Sequence, residues 1–197
     1  ETRTFDLWAI TTDDARVPNP RWSAPRRIAI DAPFAVRLNR PIVLTSGEWL
    51  LPVTWARYAP EGWFPHADQL QGVAVSSDAG TSWTLHGAVK APPWALENMI
   101  VERRDGHLWM LMRTGSGVVW QSFSADRGRT WSVASPTAIV NPGVRFYVGR
   151  LASGRLLLIN TPDPAQRRTL YAYLSDPQDD TAFGHGLLLD PRDRVSY

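Results

Sequence analysis

SFSADRGRTWS, from Ser122 to Ser132, is the stretch whose reading decides the fold. Between two apolar runs it places Ser124, Asp126, Gly128, Thr130 and Trp131. VSSDAGTSWTL repeats the device upstream with Ser76, Asp78, Gly80, Ser82 and Trp83. Asp and Ser side chains accept hydrogen bonds from amides a few residues ahead, Gly supplies a positive φ, and Trp buries a large apolar face beneath a hairpin. That inventory folds a turn. A catalytic carboxylate must aim its acceptors at a pocket, whereas Asp78 and Asp126 use theirs in holding the turn, so both boxes read as structural.

The boxes begin 48 residues apart, which fits one four-stranded propeller blade. Degenerate copies flank them. LWAITTDDARVPNPRWSAPRRI offers Thr12, Asp14 and Trp22 with an insertion in place of the glycine, and AYLSDPQDDTAFGHGLLLD keeps Ser175, has Pro177 at the aspartate position and Phe183 for tryptophan. Within the third period NMIVERRDG, HLWMLMRTG, GVVWQSFS and WSVASP read as successive strands. They are rich in β-branched and aromatic residues and bounded by Asp-Gly, Ser-Gly and Thr-Gly turns. No segment sustains a helical apolar period. The expected architecture is an all-β propeller of four-stranded blades. About four are represented, in units 1–33, 34–90, 91–138 and 139–197, with the first period starting near its third strand. The chain therefore reads as a fragment of a longer propeller whose end blades expose strand edges.

Composition narrows the partners. The 197 residues are 44% hydrophobic, enough for a packed core, and no apolar run approaches the ~18 residues of a membrane span. With no cysteine there are neither disulfides nor thiolate metal sites, and His66, His86, His107 and His185 lack ligand spacing, so no metal and no cofactor is expected. Cysteine absence fits both a reducing cytosol and an exported protein, and no signal pattern is visible at Glu1. Of 21 basic residues all but Lys90 are arginine, dispersed among carboxylates without a basic run, which argues against nucleic acid.

The repeated S-x-D-x-G-x-T-W resembles the Asp-box, or BNR, repeat of the sialidase (neuraminidase) superfamily, and Ser124 to Trp131 matches it at every defined position. Similar boxes occur in propeller polysaccharide lyases, rhamnosidases, sortilin-type receptors and glycan-binding modules, so other residues must decide the activity. The resemblance implies a six-bladed full protein acting on a carbohydrate, a sialoglycan or related acidic glycan. It further implies a retaining exo-α-sialidase with a tyrosine nucleophile, an exception to the two-carboxylate scheme of most glycosidases.

Two segments carry the implied site. ENMIVERRDGHLWMLMRT resembles the sialidase segment in which a glutamate starts one strand and an arginine ends the next. That carries the tyrosine's partner onto Glu97 and a carboxylate-binding arginine onto Arg113. AQRRTLYAYLSDP is similar to the animal sialidase motif Q-R-x-D-L-x-A-Y-L and places a second such arginine on Arg167; from there the chain runs without a gap to DRVSY, where Tyr197 falls on the nucleophile. The chemistry is coherent. Guanidinium forks hold a sugar carboxylate in bidentate fashion, and a neutral tyrosine avoids the repulsion that an anionic nucleophile would meet.

Plainer readings stand beside these: Glu97 and Arg113 as solvated strand-end charges, Tyr197 as a half-buried strand residue, and Arg145, Arg150 or Arg168 in the place of Arg167. The chain also departs from the family. No R-I-P-like arginine motif and no acid/base aspartate precede Glu97, and Arg26 and Arg27 follow a degenerate box, so they are not given the first arginine's role. By itself this chain is expected to be inactive. Two other readings are a uronate-directed lyase or rhamnosidase with His66 as base, and a glycan-binding propeller stacking sugars on Trp55, Trp63 and Phe64.

Overall fold

The computed structural model describes residues 7–32, 34–57, 68–164 and 166–190. Apart from a 3₁₀ position at Asp68, its regular structure there is strand, in four antiparallel sheets, and no helix is long and apolar enough to cross a membrane. The first sheet pairs β1 (Leu7–Ala9) with β2 (Arg26–Ile28). In the second, β3 (Phe34–Leu38), β5 (Trp49–Ala56), β6 (Gln69–Ser76) and β7 (Thr84–Val89) lie in that order, and β4 (Ile42–Val43) also pairs with β5. The third runs β8 (Ala95–Glu102), β9 (Leu108–Thr114), β10 (Val118–Ser124), β11 (Ser135–Val140); the fourth runs β12 (Tyr147–Arg150), β13 (Leu156–Asn160), β14 (Leu170–Leu174), β15 (Leu187–Asp190). Each is a meander of neighbouring strands.

Strand periodicity explains how the sheets stack. Successive side chains point to opposite faces. On β9, Leu108, Met110 and Met112 pack with Leu50, Val73 and Val75 of the second sheet, while Trp109 and Leu111 pack with Val148, Leu156 and Leu158 of the fourth. The second sheet is divided in the same way: Leu51, Val53 and Trp55 face the first sheet, with Ile28, Leu70 and Ala74. A strand buried on both faces reads as a continuous apolar run, which is why LWMLM shows no alternation. The sheets thus lie face to face in chain order, in a propeller-like arrangement.

The two intact boxes fold as local turns. Ser124 Oγ accepts the Gly128 amide at 2.8 Å and donates to Asp126 Oδ1 at 2.8 Å. Asp126 accepts the amides of Thr130 and Arg129 at 2.8 and 3.0 Å and the Thr130 hydroxyl at 2.6 Å, and Trp131 Nε1 donates to the Gly128 carbonyl at 2.9 Å. Ser76, Asp78, Gly80, Ser82 and Trp83 repeat the pattern: Ser76 Oγ accepts Gly80 N at 2.8 Å, Asp78 accepts the Ser82 hydroxyl at 2.6 Å, and Trp83 Nε1 reaches the Gly80 carbonyl at 3.1 Å. The turn also docks on its neighbour. Gly128 has φ 88°, and a Cβ there would lie 2.9 Å from Val73 Cγ1 of the second sheet. Across the same junction Glu48 bridges Arg127 and Arg129, at 2.9 and 2.7 Å.

Three local expectations need correction. The last strand of the third sheet begins at Ser135 rather than Trp131, because Trp131 turns inward to pack between the second and third sheets and the chain regains sheet geometry only beyond Ala134. Pro136 is tolerated in that strand because β11 is an edge. In the first degenerate box Trp22 is exposed, since no described sheet precedes the first for it to pack on. In the last, Phe183 does take the aromatic place, half-buried and stacked at 6.4 Å on Trp109, but Ser175 is spent on the Leu156 amide, and Asp179 forms the turn with Thr181.

Candidate functional site

Glu97 and Arg113 lie at the edge of the third sheet opposite its box. Register places Leu96 against Arg113 at one end, whereas Glu102 pairs with Leu108, and Leu108 with Ser124, at the other. Between Leu96 and Met99 the β8–β9 ladder is irregular, and Glu97 there has φ 44°. A non-glycine residue with positive φ is uncommon and costs conformational energy. The neighbouring sheet holds it in place: Asn39 donates to the Glu97 carbonyl at 3.0 Å, and Gln71 Nε2 donates to the Ala95 carbonyl at 2.7 Å. Buried Asn98 adds bonds to Gln71 Oε1 and the Val53 carbonyl, both at 3.0 Å.

The Glu97 carboxylate meets two arginines. Arg113 Nη1 reaches Oε2 at 2.6 Å, and Arg145 Nη2 reaches Oε1 at 2.9 Å. Burial pushes the carboxyl's pKa up, but the hydrogen bonds from Arg145 and Arg113 outweigh it and leave the net shift downward. Arg113 is fixed further by donating Nε to the Gly143 carbonyl at 2.8 Å and by lying over the Trp94 ring at 5.8 Å. Trp94 in turn is wedged against Gly115 and Gly143, where added Cβ atoms would come within 2.5 and 3.4 Å of it. Arg167 Nη2 donates to the same Gly143 carbonyl at 3.3 Å.

The loop that gathers these groups is held from below. Asn141 accepts the Val144 amide at 2.9 Å and donates to Asn160 Oδ1 at 2.8 Å, while Gly143 takes φ 72°. The Asn-Pro-Gly of residues 141–143 thereby brings Arg145 over β8. Two guanidiniums on one carboxylate, with that of Arg167 on the neighbouring Gly143 carbonyl, leave a surplus of positive charge, suited to an anionic ligand.

A model of the BNR repeat-like domain matches residues 4–197. The chain belongs to this family. Among solved structures, the BNR domain is similar to the Hadza microbial sialidase Hz136, with a TM-score of 0.75 at 22% identity over 95% of this chain and 37% of that one. It is also similar to the intramolecular trans-sialidase of Ruminococcus gnavus in complex with oseltamivir carboxylate, with a TM-score of 0.66 at 23% identity over 94% and 40%. The leech intramolecular trans-sialidase complexed with 2,7-anhydro-Neu5Ac gives 0.68 at 21% over 94% and 29%. The fold is that of the sialidase superfamily, and the BNR domain spans two fifths or less of these relatives' length. No curated protein matches it.

The BNR domain brings together Glu97, Arg113 and Arg167; Tyr197 lies outside the described residues, as do His66, Trp63 and Phe64. Trp55 is buried at 6% exposure against the first sheet and presents no face for a sugar to stack on, which corrects that expectation. Arg150 is committed elsewhere, to the buried Asp180 at 2.9 Å. Arg145, weighed from sequence only as a rival of Arg167, is in the site beside it. A cavity of about 670 Å³ runs over β4, β8 and β12, but neither Glu97 nor Arg113 lines it. Its size carries less weight than the convergence of charge at Glu97.

Proposed function

We propose that this BNR domain is part of a retaining exo-α-sialidase-like glycoside hydrolase acting on terminal sialic acid or a related sugar acid. The observation that carries the reading is the Glu97–Arg113 pair with Arg167 on the shared Gly143 carbonyl, gathered at the sheet edge away from the boxes. In this reading Arg113 and Arg167 grip the sugar carboxylate. The Tyr197 hydroxyl attacks the anomeric carbon and gives its proton to Glu97 while an acid outside this chain protonates the leaving oxygen; water, giving its proton to the conjugate base of that acid, then displaces the tyrosine oxygen, which takes its proton back from Glu97.

The reading includes a ring of six four-stranded blades, of which units 1–33, 34–90, 91–138 and 139–197 would be part. The test uses the intact parent protein and a 4-methylumbelliferyl sialoside. Release of the fluorophore is expected, together with its loss in Tyr197→Phe and Glu97→Gln. Absence of release, or full activity in Tyr197→Phe, overturns the reading.

A further inference from the structure

Each oxygen of the Glu97 carboxylate already holds a guanidinium, and the two are held very differently. Arg113, with its side chain 17% exposed, is tied to Oε2, to the Gly143 carbonyl and over Trp94. Arg145, 67% exposed, has Glu97 Oε1 as its one described side-chain partner. The Glu97 side chain itself is only 11% exposed, so the Arg145 contact matters to its carboxylate. But an exposed arginine held by a single partner exchanges readily, whereas one held twice in a partly desolvated setting does not. An arriving carboxylate, which offers the same charge in the same two-oxygen geometry, therefore competes for Arg145 first.

Resting on the sugar-acid reading of the site, we propose that Arg145 is a positioning residue that exchanges partners. When an acidic sugar binds, its guanidinium leaves Glu97 Oε1 for the sugar carboxylate and opens that oxygen to accept a proton. The charged groups facing Glu97 among the described residues are Arg113 from β9 and Arg145 from the loop before β12, with Arg167 one carbonyl away. Removing one of the two direct contacts leaves Glu97 with burial less fully opposed, so its affinity for a proton rises when it is needed and stays low while the site is empty. Occupancy and basicity are thereby coupled.

The test follows the Glu97 carboxyl in the intact protein by 13C NMR across pH, with and without free N-acetylneuraminic acid, alongside calorimetry, in wild type and Arg145→Gln. In wild type the sugar moves the Glu97 midpoint upward. In Arg145→Gln the empty-site midpoint is already raised, the sugar moves it less, and affinity falls about tenfold, the loss expected for one charged hydrogen bond. Arg145→Lys, which keeps the charge, restores a lower empty-site midpoint. An equal upward shift in wild type and Arg145→Gln means that the sugar's own charge acts alone, and overturns the exchange, as does binding to wild type with no shift. Those results leave the functional reading standing; failure of the sugar to bind wild type at all removes both.

Discussion

Arg113 and Glu97 are joined across the β8–β9 hairpin at 2.6 Å, and Arg113 simultaneously grips the backbone carbonyl of Gly143. One planar fork thus serves two acceptors, a geometry that an ammonium group cannot reproduce. Arg113→Lys, although charge-conserving, is expected to weaken binding of N-acetylneuraminic acid about tenfold or more in the intact protein. Isothermal titration checks this; unchanged affinity would remove Arg113 from the carboxylate clamp.

The box is predicted to matter to folding before it matters to ligand. Asp126 accepts from Ser124, Arg129 and Thr130, and truncation to alanine leaves the amides of Arg129 and Thr130 without their acceptor. Asp126→Ala should cost roughly 2–3 kcal/mol of stability in urea unfolding, with sugar affinity of the folded fraction unchanged. A stable Asp126→Ala protein that had lost only ligand binding would reverse this division of labour.

Acid sensitivity follows from the same residue. Burial pushes the Asp126 carboxyl up, but bonds from the Thr130 hydroxyl and amide, Ser124 and Arg129 bring it down to about 2. Because the folded value lies below the unfolded one of about 3.9, this contribution is complete above pH ~4 and fades as pH falls toward ~2. Urea midpoints measured down that range should fall less steeply in Asp126→Asn than in wild type. Glu97, Glu48 and Asp180, also shifted downward, remain common to both proteins and drop out of the comparison.

Two glycines separate backbone strain from packing between sheets. Gly154 has φ 82° with nothing within 4 Å of an added Cβ, whereas Gly128 has φ 88° and Val73 Cγ1 at 2.9 Å. Gly154→Ala should cost about 1–2 kcal/mol from the left-handed backbone alone. Gly128→Ala should cost about 1–3 kcal/mol more, from the added overlap. Equal losses in thermal or urea unfolding would mean that the box does not dock on Val73 as the structure has it.

These predictions rest on features of unequal visibility in the sequence. The boxes were legible because every interaction of Asp78 and Asp126 is local, and spacing alone encodes it. The Glu97–Arg113 pairing was readable through the Asp105–Gly106 turn, which folds one strand back on the other. Arg145 was not, because its arrival at Glu97 depends on Asn141 and Asn160, from different elements, steering the loop. Trp55 misled for a related reason. Its neighbours in sequence suggested an exposed aromatic loop, but strand parity turns it toward Gly72 and the first sheet.

Strand β9 adds a constraint of a different kind. Leu108, Met110 and Met112 belong to one interface and Trp109 and Leu111 to the next, so the strand is shared by two cores in strict alternation. A deletion of one residue inside it would invert that assignment, sending an indole into the space of a methionine and a methionine into the space of an indole. Each substitution along β9 is a local injury, but a shift of frame damages both interfaces at once. At a hairpin tip such as Arg103–Gly106, by contrast, a residue can be gained or lost without changing which sheet any side chain of the strand meets.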